Sequence, residues 1–254
     1  MERHFAREYR GLEQWHWWFL GRRRILETIL RREMPSSLAR EILSVGCGPA
    51  EGLGWLLPFA GQEGMVTGLD VDSAHGADLP HRVKFVAGTL AAVPFATASF
   101  DVVLALDVLE HMEDDLTALQ EAIRMVKADG LLIITVPALP FLWGRQDIVS
   151  GHWRRYTRKS LASLLQRAGL TQCKISYFNT LLFPVVSAIR AVRRLLGTAD
   201  RPRSDFADNR PGMLNNALCW LFSLERYLVF RMPMPVGISL LATCRLRPAN
   251  PSMR

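Results

Sequence analysis

Apolar positions in this chain fall into short unbroken runs, separated by stretches of helical period. Ile42, Leu43 and Val45 form the first run, inside Glu41 to Gly52, EILSVGCGPAEG. The second, Met65 to Asp72, MVTGLDVD, ends in acids. Val83 to Val86 is a third, Phe100 to Leu106 a fourth, and Gly130 to Pro137, GLLIITVP, a fifth. Short apolar runs between turn signals read as strands buried on both faces. Strands alternating with helical segments predict a parallel sheet with helices on both sides. A helix is expected from about Lys159 to Ala168, a sixth strand over Thr171 to Tyr177, and a seventh over Ser239 to Leu246.

The last interval breaks the rhythm. More than fifty residues separate Tyr177 from Ser239, too many for a structureless loop. Leu182, Val185, Val186, Ile189, Val192 and Leu196 make one apolar helical stripe, with Arg190, Arg193 and Arg194 on another face. Leu214, Leu218, Leu221, Leu224 and Leu228 make a second. Both stripes can pack on the core or on each other. A basic amphipathic helix can instead lie on a membrane surface. The polar stretch Gly197 to Gly212 between them is expected to be a mobile loop. Near the N-terminus, Trp15, Trp17, Trp18 and Phe19 precede Arg22, Arg23 and Arg24, and helical spacing puts Trp15 and Trp18 on one face with Arg22 near it.

The first strand runs straight into glycines. Gly46 and Gly48 allow a tight turn and a close approach of backbone to ligand. A dinucleotide fingerprint needs a third glycine where this chain has Glu51, and the next glycine is Gly52. Asp70 lies about twenty residues beyond the turn, where a βαβ unit delivers a carboxylate to ribose hydroxyls. The glycine turn, SFDVV…LDVLEH and LLIITVP together resemble class I S-adenosylmethionine (SAM) methyltransferases, in the group that includes the ubiquinone-biosynthesis O-methyltransferases. The resemblance covers roughly Glu41 to Leu170.

That resemblance implies an α/β fold with a Rossmann-like, seven-stranded, mostly parallel sheet whose last strand is antiparallel. It implies one methyltransferase domain over 1–254: an N-terminal helical lid at 1–40, a SAM-binding core at 41–178, a helical insert at 179–237 and the final strand at 238–248. The cofactor is SAM, held by Gly46, Cys47, Gly48, Asp70, Val71, Thr89, Leu90, Leu106 and Asp107. Many relatives carry an acid where this chain has Ser44 and another at Thr89; hydroxyls accept hydrogen bonds more weakly than carboxylates.

Methyl transfer to oxygen benefits from a base. On a helix Asp107, Glu110 and His111 would share a face, making His111 one candidate. Similar acid-x-x-Glu-His patterns bind a divalent metal in the ubiquinone enzymes and in small-RNA 2′-O-methyltransferases. The shorter Asp107 favours a helix start lining the methionine end instead, and no metal is assigned. His152, in GHWRRY, is the other candidate base, in a segment that follows the fifth strand. Trp18, Arg154, Arg155 and Tyr156 are candidate acceptor contacts; the arginines can hold an anionic group or pair with helix carboxylates. A small-molecule or lipid-linked hydroxylated acceptor is the leading reading. A catalytically weakened binding protein and a nicotinamide-dependent oxidoreductase are the others.

Charge is unevenly spread over the 254 residues, which carry a formal net charge of +7. Residues 1–40 hold 9 Lys/Arg against 5 Asp/Glu, residues 41–173 hold 10 against 15, and residues 174–254 hold 12 against 4. The excess positive charge therefore lies outside the acidic core, where it can solvate a surface or attract anionic lipid. No nucleic-acid module is visible. Four scattered cysteines suggest neither a zinc site nor a disulfide, and hence a reducing compartment. The charged N-terminus lacks an apolar signal region, and no run of about 18 apolar residues exists. A cytoplasmic location is expected, with peripheral contact at the inner face of an anionic membrane.

Overall fold

The computed structural model describes residues 11–34, 38–76, 79–196, 206, 210–229 and 231–246. Seven strands form one sheet: β1 (Glu41–Val45), β2 (Met65–Asp70), β3 (Val83–Ala87), β4 (Phe100–Leu106), β5 (Val126–Pro137), β6 (Cys173–Phe178) and β7 (Ser239–Arg245), in the order β3-β2-β1-β4-β5-β7-β6. The pairs β1–β2, β1–β4, β2–β3 and β4–β5 are parallel. The amide of Asp129 bonds Leu246 O and that of Ala138 bonds Ile238 O, each at 2.8 Å, so β7 runs against β5. The sheet is mixed, as expected, and its central strands are buried without alternation. Val102, Val103, Leu104 and Ala105 on β4 and Leu132, Ile133 and Ile134 on β5 have no exposed surface. A sheet covered on both faces requires this.

The chain forms two compact units. One comprises residues 33–136, 160–175 and 241–254 and holds most of the sheet. Here α4 (Asp115–Met125) buries Ala118, Leu119, Ala122 and Met125, one helical face. Asp114 caps it by accepting from the Thr117 amide at 3.0 Å. The glycine turn is followed by a 3₁₀ segment, Ala50–Leu56, and then a single α turn, α3 (Leu57–Ala60). Pro58 at the start of α3 and Gly61 after it confine that turn. A helix α6 (Arg158–Arg167) contributes Leu161, Leu164 and Leu165.

The other unit comprises residues 1–32, 137–159 and 176–240, so residues 137–159 pack with the flanking segments. Two helices, α1 (Leu12–Trp15) and α2 (Trp17–Glu33), open it, and the break falls at His16. Asn215 bridges the break: its Nδ2 donates to Trp15 O at 2.8 Å and its Oδ1 accepts from the Trp17 amide at 2.9 Å. Trp15 therefore lies on a different helix from Trp18. Gly21 brings α2 against α8 (Met213–Ser223), because a Cβ there would stand 2.3 Å from Phe222 Cδ1. Arg24 donates to Ser223 Oγ at 3.1 Å across the same contact.

Three expectations are corrected. Packing of the α7 (Phe183–Leu195) stripe on protein, one of its two readings, is the first: Leu182 before the helix is buried, but the helix itself buries no residue, and Val185, Ile189 and Val192 are 56%, 44% and 52% exposed. Its arginines turn inward instead, Arg190 to Leu142 O and Arg194 to Phe141 O and Trp143 O. The leucine stripe of the next helix is not the buried one either. Asn215, Cys219, Phe222 and Ser223 are buried there, while Leu214 is 69% exposed. The third correction is a disulfide, Cys173–Cys244, joining β6 to β7. Strand adjacency brings together two cysteines 71 residues apart, and no spacing motif announces that. The expected mobile loop between Gly197 and Gly212 lies largely outside the described residues; Phe206 within it contacts the rings of His16, Trp18 and Phe19.

Candidate functional site

The carboxyl ends of β1, β2 and β4 share one edge of the sheet, since all three run parallel. Beyond β1, Gly46 and Gly48 take φ values of 57° and 61°, the left-handed region that glycine enters without strain. A Cβ at Gly46 would lie 2.7 Å from Val108 Cγ2, whereas nothing stands within 4 Å of one at Gly48. The turn is thus closed on its inner side and open on its outer side. Cys47 packs its Sγ over Gly68, where a Cβ would meet it at 2.7 Å.

Asp70 ends β2 and ties the edge together. Its Oδ2 accepts from the Gly48 amide at 2.9 Å and its Oδ1 from the Asp72 amide at 3.2 Å. Its backbone carbonyl accepts from Gly88 at 2.9 Å, which fixes the turn after β3. Each carboxylate oxygen retains acceptor capacity for a hydroxyl. Buried His75 places Nδ1 at 3.4 Å from Asp70 Oδ1, a neighbour the sequence did not flag. The next residue, Val71, is 75% exposed and offers a bare apolar surface. Leu90 is buried, while the Thr89 hydroxyl accepts from the Ala91 amide at 3.4 Å. Ser44 lies buried within β1.

The segment after β4 differs from the expected helix. Leu106 is half-buried, and Asp107 takes φ 58° while its amide bonds Thr135 O at 2.9 Å. Only then does a short 3₁₀ turn, Leu109–His111, begin. Asp107 therefore does not share a helical face with Glu110 and His111. Glu110 is fully buried and His111 half-buried.

The GHWRRY segment belongs to the other unit and centres on a residue that sequence reasoning missed. Asp147, in α5 (Arg145–Val149), is fully buried. Its Oδ1 meets His152 Nδ1 at 3.0 Å and Arg155 Nε at 2.7 Å; its Oδ2 accepts from the Gly144 amide at 2.9 Å and lies 3.6 Å from Arg190. Burial raises its pKa, but the His152 hydrogen bond and the charges of Arg155 and Arg190 outweigh it and hold the group at about 2. His152 is thereby fixed in orientation. Arg155 also donates to Ala138 O at 2.8 Å, so its guanidinium is taken up inside the unit. Arg154 is half-buried, and Tyr156 is buried and bridged to Ala138. Trp18 is half-buried with Arg22 stacked 4.2 Å above its ring. An acid five positions before His152 is the one available signal for Asp147, and it gains meaning only once the helix turns it back.

A glycine turn at the end of β1 and an acid at the end of β2, on this strand order, define a nucleotide-type cradle of the methyltransferase class. Residues 43–134 match the family model described as Methyltransferase domain. A probable S-adenosylmethionine-dependent methyltransferase of Mycobacterium tuberculosis is 32% identical over 159 residues, 61% of this chain and 56% of that protein. A ubiquinone biosynthesis O-methyltransferase of Methylobacterium nodulans is 29% identical over 163 residues, 56% of this chain and 63% of that protein. The matched part is thus somewhat over half the length of these relatives. In fold, the chain resembles a methyltransferase in a complex with the Haloferax volcanii Trm112 methyltransferase activator, with a TM-score of 0.60 and 17% identity over 97% of this chain and 96% of that one. Residues 43–134 thus match a methyltransferase domain, the fold is that of solved methyltransferases, and SAM is the cofactor that these likenesses support. The residues fit it: the open side of Gly48, the carboxylate of Asp70 and the bare Val71 suit a methionine tail, a ribose diol and an adenine face in turn.

Proposed function

We propose that this chain transfers the methyl group of SAM to a hydroxyl oxygen of a small-molecule or lipid-linked acceptor. The observation that carries the cofactor half of this reading is Asp70, held by the Gly48 amide beside an open glycine turn. When bound, SAM supplies a methyl group activated on a sulfonium, so the protein's task is to orient a nucleophile and accept its proton. His152 is our candidate acceptor of that proton. Its Nδ1 lies 3.0 Å from Oδ1 of buried Asp147, which holds the ring in one orientation, as a positioned general base requires. The oxygen preference is supported by likeness to the ubiquinone biosynthesis O-methyltransferase. Arg154 and Trp18 are proposed acceptor contacts, and peripheral contact with an anionic membrane fits a lipid-linked substrate. Ser44 and Thr89, where many relatives carry acids, favour a catalytically weakened binder as the second reading.

Incubation with isotopically labelled methyl-SAM and cell extract, read by mass spectrometry, tests transfer. A product carrying the label as an O-methyl group is expected, with turnover reduced roughly 10²–10⁴-fold in His152→Ala while SAM binding persists. If His111→Ala shows that loss instead, the base is His111. SAM binding without any labelled product would favour the weakened binder.

A further inference from the structure

Helix α7 is tethered by its basic side and bare on its apolar side. Val185, Ile189, Val192 and Leu196 follow at intervals of four, three and four residues, one stripe along the helix, and Leu196 is 70% exposed. Leu195 beside it is 86% exposed. The arginines hold the neighbouring loop: Arg190 bonds Leu142 O, and Arg194 bonds Phe141 O at 2.9 Å and Trp143 O at 3.2 Å. Phe141, in that loop, is 57% exposed. A surface helix of a water-soluble unit is expected the other way round.

We propose that this face docks on an anionic phospholipid surface, with α7 lying in the plane of the interface. Two observations choose that occupant. The segments outside the described residues, MERHFAREYR, GTADRPRSD and RPANPSMR among them, are polar and poor in large apolar side chains, so none supplies a matching cover. The charge also suits lipid phosphates: α7 carries no acid, and residues 179–237 hold 8 Lys/Arg against 4 Asp/Glu, although Arg190 is paired with Asp147. Arg194 is bonded to neutral carbonyls, which leave its positive charge uncancelled beside Leu195. At about 1.5 Å per residue, thirteen residues reach roughly 20 Å, short of a hydrocarbon core of about 30 Å. No helix among the described residues is long and apolar enough to cross a membrane. The helix therefore lies on the bilayer, its apolar stripe among the acyl chains and the exposed Arg194 at headgroup level. Attraction through the arginines alone would vanish at high salt, whereas an inserted stripe persists in part. The inference deepens the lipid-linked reading above and rests on it for its purpose, though not for its geometry.

Co-sedimentation with vesicles of phosphatidylcholine alone, and of phosphatidylcholine mixed with phosphatidylglycerol, tests it. The full chain is expected to sediment with the mixed vesicles and to remain partly bound at high salt. Val185→Ser, Ile189→Ser and Val192→Ser combined should weaken binding roughly tenfold or more, with calorimetric SAM affinity unchanged as proof of folding. Ile189→Asp alone should act in the same direction. Equal binding to both vesicle types, binding to neither, or wild-type binding by the triple variant overturns the proposal. So does a dimer, seen by light scattering, that the triple variant abolishes, because a second copy then covers the face. Loss of vesicle binding with SAM binding intact would remove the docking face and leave methyl transfer standing.

Discussion

Two buried carboxylates, Asp147 and Glu225, titrate in opposite directions, and their partners explain why. Burial pushes both upward. Asp147 is surrounded by His152, Arg155 and Arg190, and the positive charge wins, leaving it at about 2. Glu225 receives only backbone amides, from Leu181 at 2.8 Å and its neighbours, so burial wins and its pKa is raised. His16 provides the sharpest pH signature. It is 1% exposed among aromatic rings, its Nδ1 accepts from the Trp18 amide at 3.2 Å, and burial lowers its pKa from 6.5 to about 4. Between those values the unfolded chain binds a proton that the folded chain does not. The stabilising contribution is therefore complete above about pH 6.5 and lost progressively as pH falls to about 4. A shift of this size corresponds to about 3 kcal/mol. Thermal unfolding followed by tryptophan fluorescence should show that slope in the wild type, and His16→Gln should flatten it. A wild-type slope identical to that of His16→Gln would contradict the assignment.

At the scale of elements, β1 and β4 read directly from the sequence, because a strand buried on both faces must be apolar throughout. The glycine turn and Asp70 were legible for a related reason: backbone conformation and strand ends are encoded locally. The insert was less so. A period of 3.6 reveals that α7 has an apolar stripe, but not which side meets protein, and the Arg190 and Arg194 bonds to carbonyls reverse the default. The helical face expected to be shared by Asp107, Glu110 and His111 failed because a left-handed residue interposes itself between β4 and the 3₁₀ turn. The Cys173–Cys244 bond was invisible because it depends on β6 and β7 becoming neighbours. With its ends 71 positions apart in sequence, the cross-link should stabilise the fold by about 4 kcal/mol in the chain-entropy view. Cys173→Ser is expected to lower the melting temperature in non-reducing buffer, and a reductant should lower the wild type to match. A wild-type chain whose melting temperature ignores reductant would remove the disulfide from the account.

Across the whole molecule, charge and chemistry divide along the same lines. The acidic stretch 41–173 contains the glycine turn and Asp70, while the basic excess lies in the flanking segments that carry the aromatic cluster and α7. Likeness to solved methyltransferases fixes the fold, and the matched residues 43–134 fix the cofactor class. Neither fixes the acceptor; Trp18 and Arg154, proposed above as its contacts, lie outside that match. The central claim is that the glycine turn and Asp70 hold SAM, and calorimetric titration measures it directly. The wild-type chain should bind SAM at one site and show no binding of NADH. Asp70→Asn removes a charge shared between the Gly48 amide and the ribose hydroxyls. At about 1.5–3 kcal/mol for each charge-assisted bond, it should bind SAM at least tenfold more weakly. Undiminished SAM affinity in Asp70→Asn, or binding of NADH in place of SAM, would contradict the account.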